Sequence, residues 1–328
     1  MSLRKSKSNH TDKTMSLEEE QAKINEVRNL ITPLSDKLPN FCTDALISRF
    51  LQARNWNSEK ASKMLKEALK WRLEYKPEAI CWEDIVHEAE TGKIYRADYC
   101  DKYGRTVLVM RPGFQNTNST KGQIKYLVYC MENAILNLAA DQEQMVWLID
   151  FQGWTMGSVS VKATRETAHV LQDYYPERLA LGILYNPPRI FESFWKIVKP
   201  FLEHKTYKKV KFVYSDDIES QKVITDNFDM DKLELAFGGR NPVGFDINQY
   251  AERMKEDDKK MSAFLTSGTF LKSVHQRSES LVAEPQSEEA LSESSSSGNE
   301  LKEKLSCKTN VATKTENKPD VIQISESV

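Results

Sequence analysis

Apolar positions recur at helical spacing through the first quarter of the chain. Ser16 precedes LEEEQAKINEVRNLI, in which Leu17, Ile24, Val27 and Ile31 share one side of a helix. A second helix is predicted near 43–53, with Leu46, Ile47, Phe50 and Leu51 on one face. A third begins near Ser58 and carries Ala61, Met64, Leu65, Ala68 and Leu69. Three short amphipathic helices bury their stripes by packing together as a small bundle. From about 105 the pattern changes to short apolar runs: TVLVMRP (106–112), QMVWLID (144–150), LGILYN (181–186) and VKFVY (210–214). Helical segments near 121–140, 158–175 and 187–202 separate these runs, and a closing helix over 247–264 follows the turn FGGRNPVGFD. Such alternation implies βαβ crossovers and a mainly parallel sheet. The expected fold is α/β, with an N-terminal helical lobe followed by a sheet lobe.

The two ends of the chain break the pattern. Residues 1–15 carry a net charge of +3, residues 266–328 carry −3, and the stretch between them carries −2. The C-terminal stretch contains LSESSSSGNELKEKLS and few aromatics. It buries too little apolar surface to offset the entropy of ordering, so disorder is expected there and in 1–15. Four regions follow: 1–15, a basic N-terminus; 16–80, a helical lobe; 81–265, the sheet lobe; and 266–328, an acidic Ser-rich tail. No run of about 18 apolar residues exists, which excludes a membrane-spanning helix. The first twenty residues are polar throughout, so no secretory signal is expected. Five dispersed cysteines with no CxxC pair indicate neither a disulfide framework nor a zinc site, and no metal or cofactor is expected. A net charge of −2 argues against a nucleic-acid partner held by bulk charge. The expected location is cytoplasmic.

Signatures of catalysis are sparse. There is no GxGxxG, GxxxxGK[ST] or HExxH. Gly153-Trp154-Thr155-Met156-Gly157 fits a G-x-[ST]-x-G elbow after a strand, which makes a hydrolase using Thr155 a remote reading; a glycine-punctuated loop is the plainer one. Asp150 ends a predicted strand, where α/β active sites gather, but an Asp there also caps loops. The segment PPRIFESFWKIVKPFL (187–202) says more. Ile190, Phe191, Phe194, Trp195, Val198, Phe201 and Leu202 form one broad apolar face flanked by Lys196 and Lys199, and HKTYKKVK (204–211) follows. Pro200 should end or kink this helix. A core helix is amphipathic too, but bulky aromatics beside lysines suit the boundary of an anionic membrane.

Seven motifs in order carry a resemblance: RFLQARNW (49–56), KWR (70–72), DKYGR (101–105), LIDFQG (148–153), YYPER (174–178), YNPPRIFESFWKIVKPFL (185–202) and AFGG (236–239). Together they resemble the CRAL-TRIO lipid-binding family with its CRAL-TRIO-N segment, on the yeast-type phosphatidylinositol-transfer branch. The resemblance covers about 40–262. It implies a mainly parallel sheet flooring a large apolar cavity, closed by a gating helix that matches 187–202. That helix, through Phe191, Phe194, Trp195, Val198, Phe201 and Leu202, would both gate the cavity and touch the membrane. The implied function is binding of a phospholipid and its transfer between membranes, with no enzymatic activity and with a lipid kinase as a further partner.

The resemblance also implies a headgroup site. Phosphatidylinositol would be held by Arg54 of RFLQAR, Glu177 of YYPER, and Thr206 and Lys209 just after the gate. Arg and Lys suit a phosphodiester, and a carboxylate accepts from inositol hydroxyls. Each has a plainer reading: an ion pair between lobes for Arg54, and a partner to Arg178 or a nearby lysine for Glu177. The phosphatidylcholine positions of that branch match Ala97, Leu108, Met145 and Trp147, which read as having lost their polar groups. Phosphocholine there would be desolvated without partners. The expectation is therefore phosphatidylinositol as main cargo, a lost phosphatidylcholine site, and any second ligand apolar or sterol-like. A lipid-sensing scaffold is the alternative.

Overall fold

The computed structural model describes residues 15–158 and 160–267. The expected tails lie outside the described residues except for 15, 266 and 267. Three helices, α1 (Leu17–Ile31), α2 (Asp44–Ala53) and α3 (Ser58–Tyr75), form the N-terminal bundle. Each begins on a side-chain cap that satisfies an orphan backbone N–H. Ser16 and Glu19 form a reciprocal box, Thr43 accepts from Leu46 N–H at 3.2 Å, and Asn57 accepts from Lys60 N–H at 2.8 Å. Ile24, Val27, Ile31, Leu46, Ile47, Phe50, Leu51, Leu65 and Leu69 fill the bundle core. Leu17 does not join them. It is 84% exposed.

The sheet lobe follows: α4 (Val86–Ala89), β1 (Ile94–Cys100), β2 (Thr106–Met110), α5 (Thr120–Leu136), β3 (Met145–Asp150), α6 (Val161–Tyr174), β4 (Leu179–Tyr185), α7 (Phe191–Val198), α8 (His204–Lys208), β5 (Val210–Val213), α9 (Ile218–Asn227) and α10 (Ile247–Ser267). The strands run in the order β1-β2-β3-β4-β5; β1 is antiparallel to β2 and the other pairs are parallel. β1 was not expected from the sequence. Its KIYRADYC alternates polar and apolar residues at an edge, with Tyr95 and Ala97 buried and Asp98 exposed. α9 was also unforeseen, since only Ile224 of its residues is fully buried.

Right-handed crossovers that all step in one direction put their helices on one face of the sheet. α5, α6 and α7 accordingly pack side by side. Register places Leu108, Trp147, Ile149, Gly182, Leu184, Val210 and Phe212 on this face. The opposite face carries Tyr95, Tyr99 and Tyr185: Tyr95 packs on Phe245 at 5.0 Å, Tyr185 on Phe237 at 5.7 Å, and the Tyr95 and Tyr99 hydroxyls donate to Glu234. A sheet wound in one direction has no point where strand order reverses. It therefore lacks the carboxyl-edge crevice in which open α/β sheets usually bind ligands.

The aromatic helix is shorter than predicted. Only Phe191–Val198 is α-helical; Lys199–Phe201 is a 3-10 turn containing Pro200, which cannot donate the next helical hydrogen bond.

Candidate functional site

The site is built at the amino ends of β4 and β5, away from Asp150. Arg54 caps the carboxyl end of α2, where Asn55 and Trp56 turn the chain back through left-handed conformations (φ 50° and 59°). Glu177 sits in the turn between α6 and β4 with φ 58°, a conformation that costs a non-glycine residue about 1–2 kcal/mol. Strain at a charged cleft residue is a marker of function. Thr206 lies in α8, and Lys209 caps that helix just before β5. Glu177, Thr206 and Lys209 line one cleft together with Ala53, Trp147, Ala168, Leu171, Tyr175 and Leu202. The cleft is open to solvent, and its cavity volume is about 60 Å3.

The charged groups at this cleft are paired. Lys209 Nζ donates to Glu177 Oε2 at 2.9 Å. Arg54 Nη1 donates to Glu203 Oε1 at 2.9 Å, and its Nη2 lies 4.0 Å from Asp173 Oδ1. The ion-pair readings of Arg54 and Glu177 thus describe this conformation, with Glu203 and Lys209 as the partners. Arg178 is not the partner of Glu177. Its Nη1 donates at 2.8 Å to the backbone oxygen and to Oε2 of Glu143, which also accepts from Arg49.

The segment after α7 is fastened at several points. Gln172 Nε2 donates to Phe201 O at 2.6 Å, and Gln172 Oε1 accepts from Glu203 N–H at 2.5 Å. Lys205 Nζ donates to Gln52 O at 2.8 Å. With Arg54–Glu203, these contacts tie residues 201–205, from the end of the 3-10 turn into α8, to α2 and α6. Sequence reading missed Asp173, Gln172 and Glu203. The one available signal was an acid directly before the basic run HKTYKKVK.

Further along the same face, Phe191, Phe194 and Val198 of α7 are buried against Phe151, Trp154 and Leu184. The Phe151 and Phe191 rings are 4.4 Å apart, and those of Trp154 and Phe194 are 5.8 Å apart. Trp195 packs at the edge against Phe212 at 5.6 Å; Phe201 and Leu202 are half-buried. The face expected to gate and to meet a membrane is therefore turned inward. Its side chains fill space that the resemblance assigns to a large cavity. Ile190 (56% exposed) and Ile197 (46%) face outward with Lys196 and Lys199.

The four positions read as a second-ligand pocket do not come together. Leu108, Met145 and Trp147 share the helix-covered face of the sheet. Ala97 lies between Tyr95 and Tyr99, which both bond Glu234 on the other face, so alternation turns it away. Leu108 and Met145 are fully buried, and only Trp147 reaches the cleft.

Two motifs meet where the bundle joins the sheet lobe. Trp71 of KWR stacks on Tyr174 of YYPER with centroids 4.2 Å apart. Arg72 donates to both oxygens of Glu132 at 2.9 and 2.7 Å, and Tyr175 Oη donates to Glu132 at 2.6 Å. Burial pushes the Tyr175 hydroxyl well above its usual range, and the Glu132 charge adds to this, so it stays a donor.

The features that suggested hydrolysis have structural roles here. Asp150 accepts from Gln152 N–H at 2.9 Å and from Arg111 Nε at 3.1 Å, closing its own loop. Gly153 takes φ +70°, and a Cβ at Gly113 would stand 2.1 Å from the Gln152 carbonyl oxygen. His169 lies 2.5 Å from Asp173 and His204 2.6 Å from the Tyr207 hydroxyl; His275 lies outside the described residues. Among the described residues no helix is long and apolar enough to cross a membrane.

Comparison with known proteins agrees with this geometry. The pattern of the CRAL/TRIO domain matches residues 89–239, and that of the CRAL/TRIO N-terminal domain matches residues 17–67. Phosphatidylinositol transfer protein PDR17 of Saccharomyces cerevisiae is 30% identical over 247 residues, which cover 71% of this chain and 68% of that protein. SEC14 cytosolic factor of Kluyveromyces lactis is 27% identical over 250 residues, covering 69% and 79%. A CRAL-TRIO domain-containing protein of Schizosaccharomyces pombe is 32% identical over 215 residues, but the chain spans only 20% of its length. The crystal structure of Sfh5 superposes with a TM-score of 0.60 at 14% identity, covering 77% of this chain and 99% of that one, a likeness of fold. The chain therefore belongs to the CRAL-TRIO family, with the CRAL-TRIO-N helices preceding the CRAL-TRIO domain.

Proposed function

We propose that this protein binds phosphatidylinositol as its main cargo and transfers it between membranes without catalysis of its own. The helical lobe (16–80) and the lipid-binding lobe (81–265) would each supply part of the site. The observation that carries this reading is the gathering of Glu177, Thr206 and Lys209 at one cleft, with Arg54 beside them and the aromatic helix α7, the proposed lid, packed on the same face of the sheet. The first three come from the α6–β4 turn and from α8 with its cap; Arg54 comes from the end of α2.

The paired charges give a mechanism for entry. A phosphodiester approaching Arg54 competes with Glu203, and inositol hydroxyls compete with Lys209 for Glu177. One charge-assisted pair replaces another, so the exchange is nearly balanced at the headgroup. The acyl chains supply the driving force. At about 0.8 kcal/mol per methylene, a chain of roughly fifteen methylenes gains about 12 kcal/mol on leaving water. Lipid so held does not return to water; it must pass directly to a bilayer. Opening the lid would turn Phe191, Phe194 and Trp195 outward between Lys196 and Lys199, a surface suited to an anionic membrane. Contact with membranes is then transient and peripheral, from a cytoplasmic pool, and the delivered lipid becomes available to a lipid kinase.

Phosphatidylcholine has no counterpart site. Leu108 and Met145 offer no polar atom and are fully buried, and Ala97 points to the other face. Exchange from donor vesicles containing labelled phosphatidylinositol or labelled phosphatidylcholine tests the reading. Transfer of the first and not the second is expected; efficient transfer of phosphatidylcholine would overturn it.

A further inference from the structure

Trp147 reads from the sequence as an apolar replacement for a polar residue. The structure gives it a polar atom with nothing to do. Trp147 lines the cleft with Glu177, Thr206 and Lys209. Its indole Nε1–H is buried and has no hydrogen-bond partner. An indole nitrogen is a donor only, and buried Trp N–H groups usually find an acceptor. Two other buried polar atoms among the described residues lack hydrogen bonds, Glu78 Oε2 and Arg253 Nε. Both belong to charged groups with other contacts: Glu78 lies 3.2 Å from Arg72 Nε, and Arg253 Nη2 donates to Arg96 O. For Trp147 the orphan is the only polar atom of the side chain.

No acceptor of the protein lies within hydrogen-bond reach of this N–H. In register on the same face, Trp147 is flanked by Leu108 and by Gly182, which has no side chain. Ala168, Leu171, Leu179 and Leu202 are the apolar wall of the cleft. Its carboxylates are engaged elsewhere, Glu177 with Lys209 and Glu203 with Arg54. Two residues on along β3, Ile149 packs against the lid cluster. Trp147 thus stands in β3 between the charged cleft and the apolar residues packed under α7.

We propose that Trp147 donates its indole N–H to an acceptor oxygen of the bound lipid, a phosphodiester oxygen or a glycerol ester carbonyl. It is a specificity residue: it favours a ligand that carries an oxygen at this depth and disfavours one that is hydrocarbon there. This rests on the phosphatidylinositol reading above. Because the unloaded protein leaves a donor unpaired, the residue favours the loaded state.

The test uses the full chain, stripped of lipid and reloaded from vesicles of graded phosphatidylinositol content. Trp147→Phe keeps an aromatic ring and removes the N–H. The variant is expected to need about three- to tenfold more phosphatidylinositol for half-loading. Dialkyl-ether phosphatidylinositol separates the two acceptors: a wild-type advantage that disappears with it assigns the bond to the ester carbonyl, and one that persists assigns it to the phosphodiester. A purely structural role for Trp147 predicts a lower melting temperature of the lipid-free variant with an unchanged lipid requirement, and that result overturns the proposal. If Trp147→Phe does not fold, the wild-type indole 1H–15N resonance decides. It should move downfield on loading, and an unmoved signal in loaded protein overturns the proposal. Wild-type protein that takes up no phosphatidylinositol removes the underlying reading as well, whereas equal loading of both proteins removes only the role of Trp147.

Discussion

Replacing Glu203 by Gln should make lipid exchange faster. Glu203 holds Arg54 at 2.9 Å across the junction between α2 and the segment that follows the lid. Unit charges 4 Å apart interact by about 1 kcal/mol in water and about 4 kcal/mol near a protein surface. Arg54 and Glu203 are 23% and 42% exposed, so solvent screening places this pair at the low end. Measured exposed pairs contribute about 0.2–1 kcal/mol. We take about 0.5–1 kcal/mol, which is roughly a two- to fivefold change in the population of the unlatched lid. The other ties are unaffected. Gln172 still bonds Phe201 O and Glu203 N–H, and Lys205 still reaches Gln52 O. The lid therefore loosens without falling open, and the melting temperature should drop by no more than about 2–4 °C. Arg54 is also freer to meet a phosphodiester, with only the longer 4.0 Å contact to Asp173 competing. Stopped-flow transfer of fluorescent phosphatidylinositol between vesicles is expected to run about two- to fivefold faster in the variant at low salt, with the difference shrinking as salt rises. A rate equal to or below that of the wild type at low salt would refute the latch.

A second prediction concerns the joint between the lobes. Glu132→Gln removes the carboxylate that accepts from Arg72 and Tyr175, leaving Glu78, 3.2 Å from Arg72 Nε, as the remaining carboxylate partner of a buried guanidinium; about 1.5–3 kcal/mol of stability should be lost, read from the urea midpoint. A third concerns pH. Burial opposes the charge on Glu132, but the Arg72 guanidinium overrides it and holds the carboxyl below its usual range. Stability from this group is therefore present above the unfolded pKa of about 4.3 and is lost as pH falls through the lower folded value. The wild type should show a steeper loss of stability below about pH 4 than Glu132→Gln, and parallel acid limbs would contradict the assignment.

Much of the architecture could be read from the sequence because burial leaves a period in it. α2 and α3 begin within a residue or two of the expected positions, since Thr43 and Asn57 are helix caps and the apolar stripes behind them are regular. β3 and β4 stood out as continuous apolar runs, as strands covered on both faces must. β1 and α9 did not, because an edge strand and a helix that buries little carry weak patterns. For the proposed site, motif resemblance pointed to Arg54, Glu177, Thr206 and Lys209. It could not show that Glu203 and Lys209 occupy two of them, because a long-range pair such as Arg54–Glu203 leaves no local signal. The Ala97 grouping failed for a related reason. Register decides which face a strand residue meets, and a strand that had not been foreseen has no register to read. Treating Trp147 as apolar overlooked the donor on an otherwise hydrophobic ring.

The central claim is that this cleft holds phosphatidylinositol through Lys209 and its neighbours. The most direct measurement is mass spectrometry of the lipids extracted from protein purified without denaturant and then exposed to phosphatidylinositol vesicles, beside a Lys209→Ala variant shown to be folded. Phosphatidylinositol in the wild type and its loss from the variant is the predicted result. A different apolar molecule in both proteins, with no inositol lipid taken up, would contradict it.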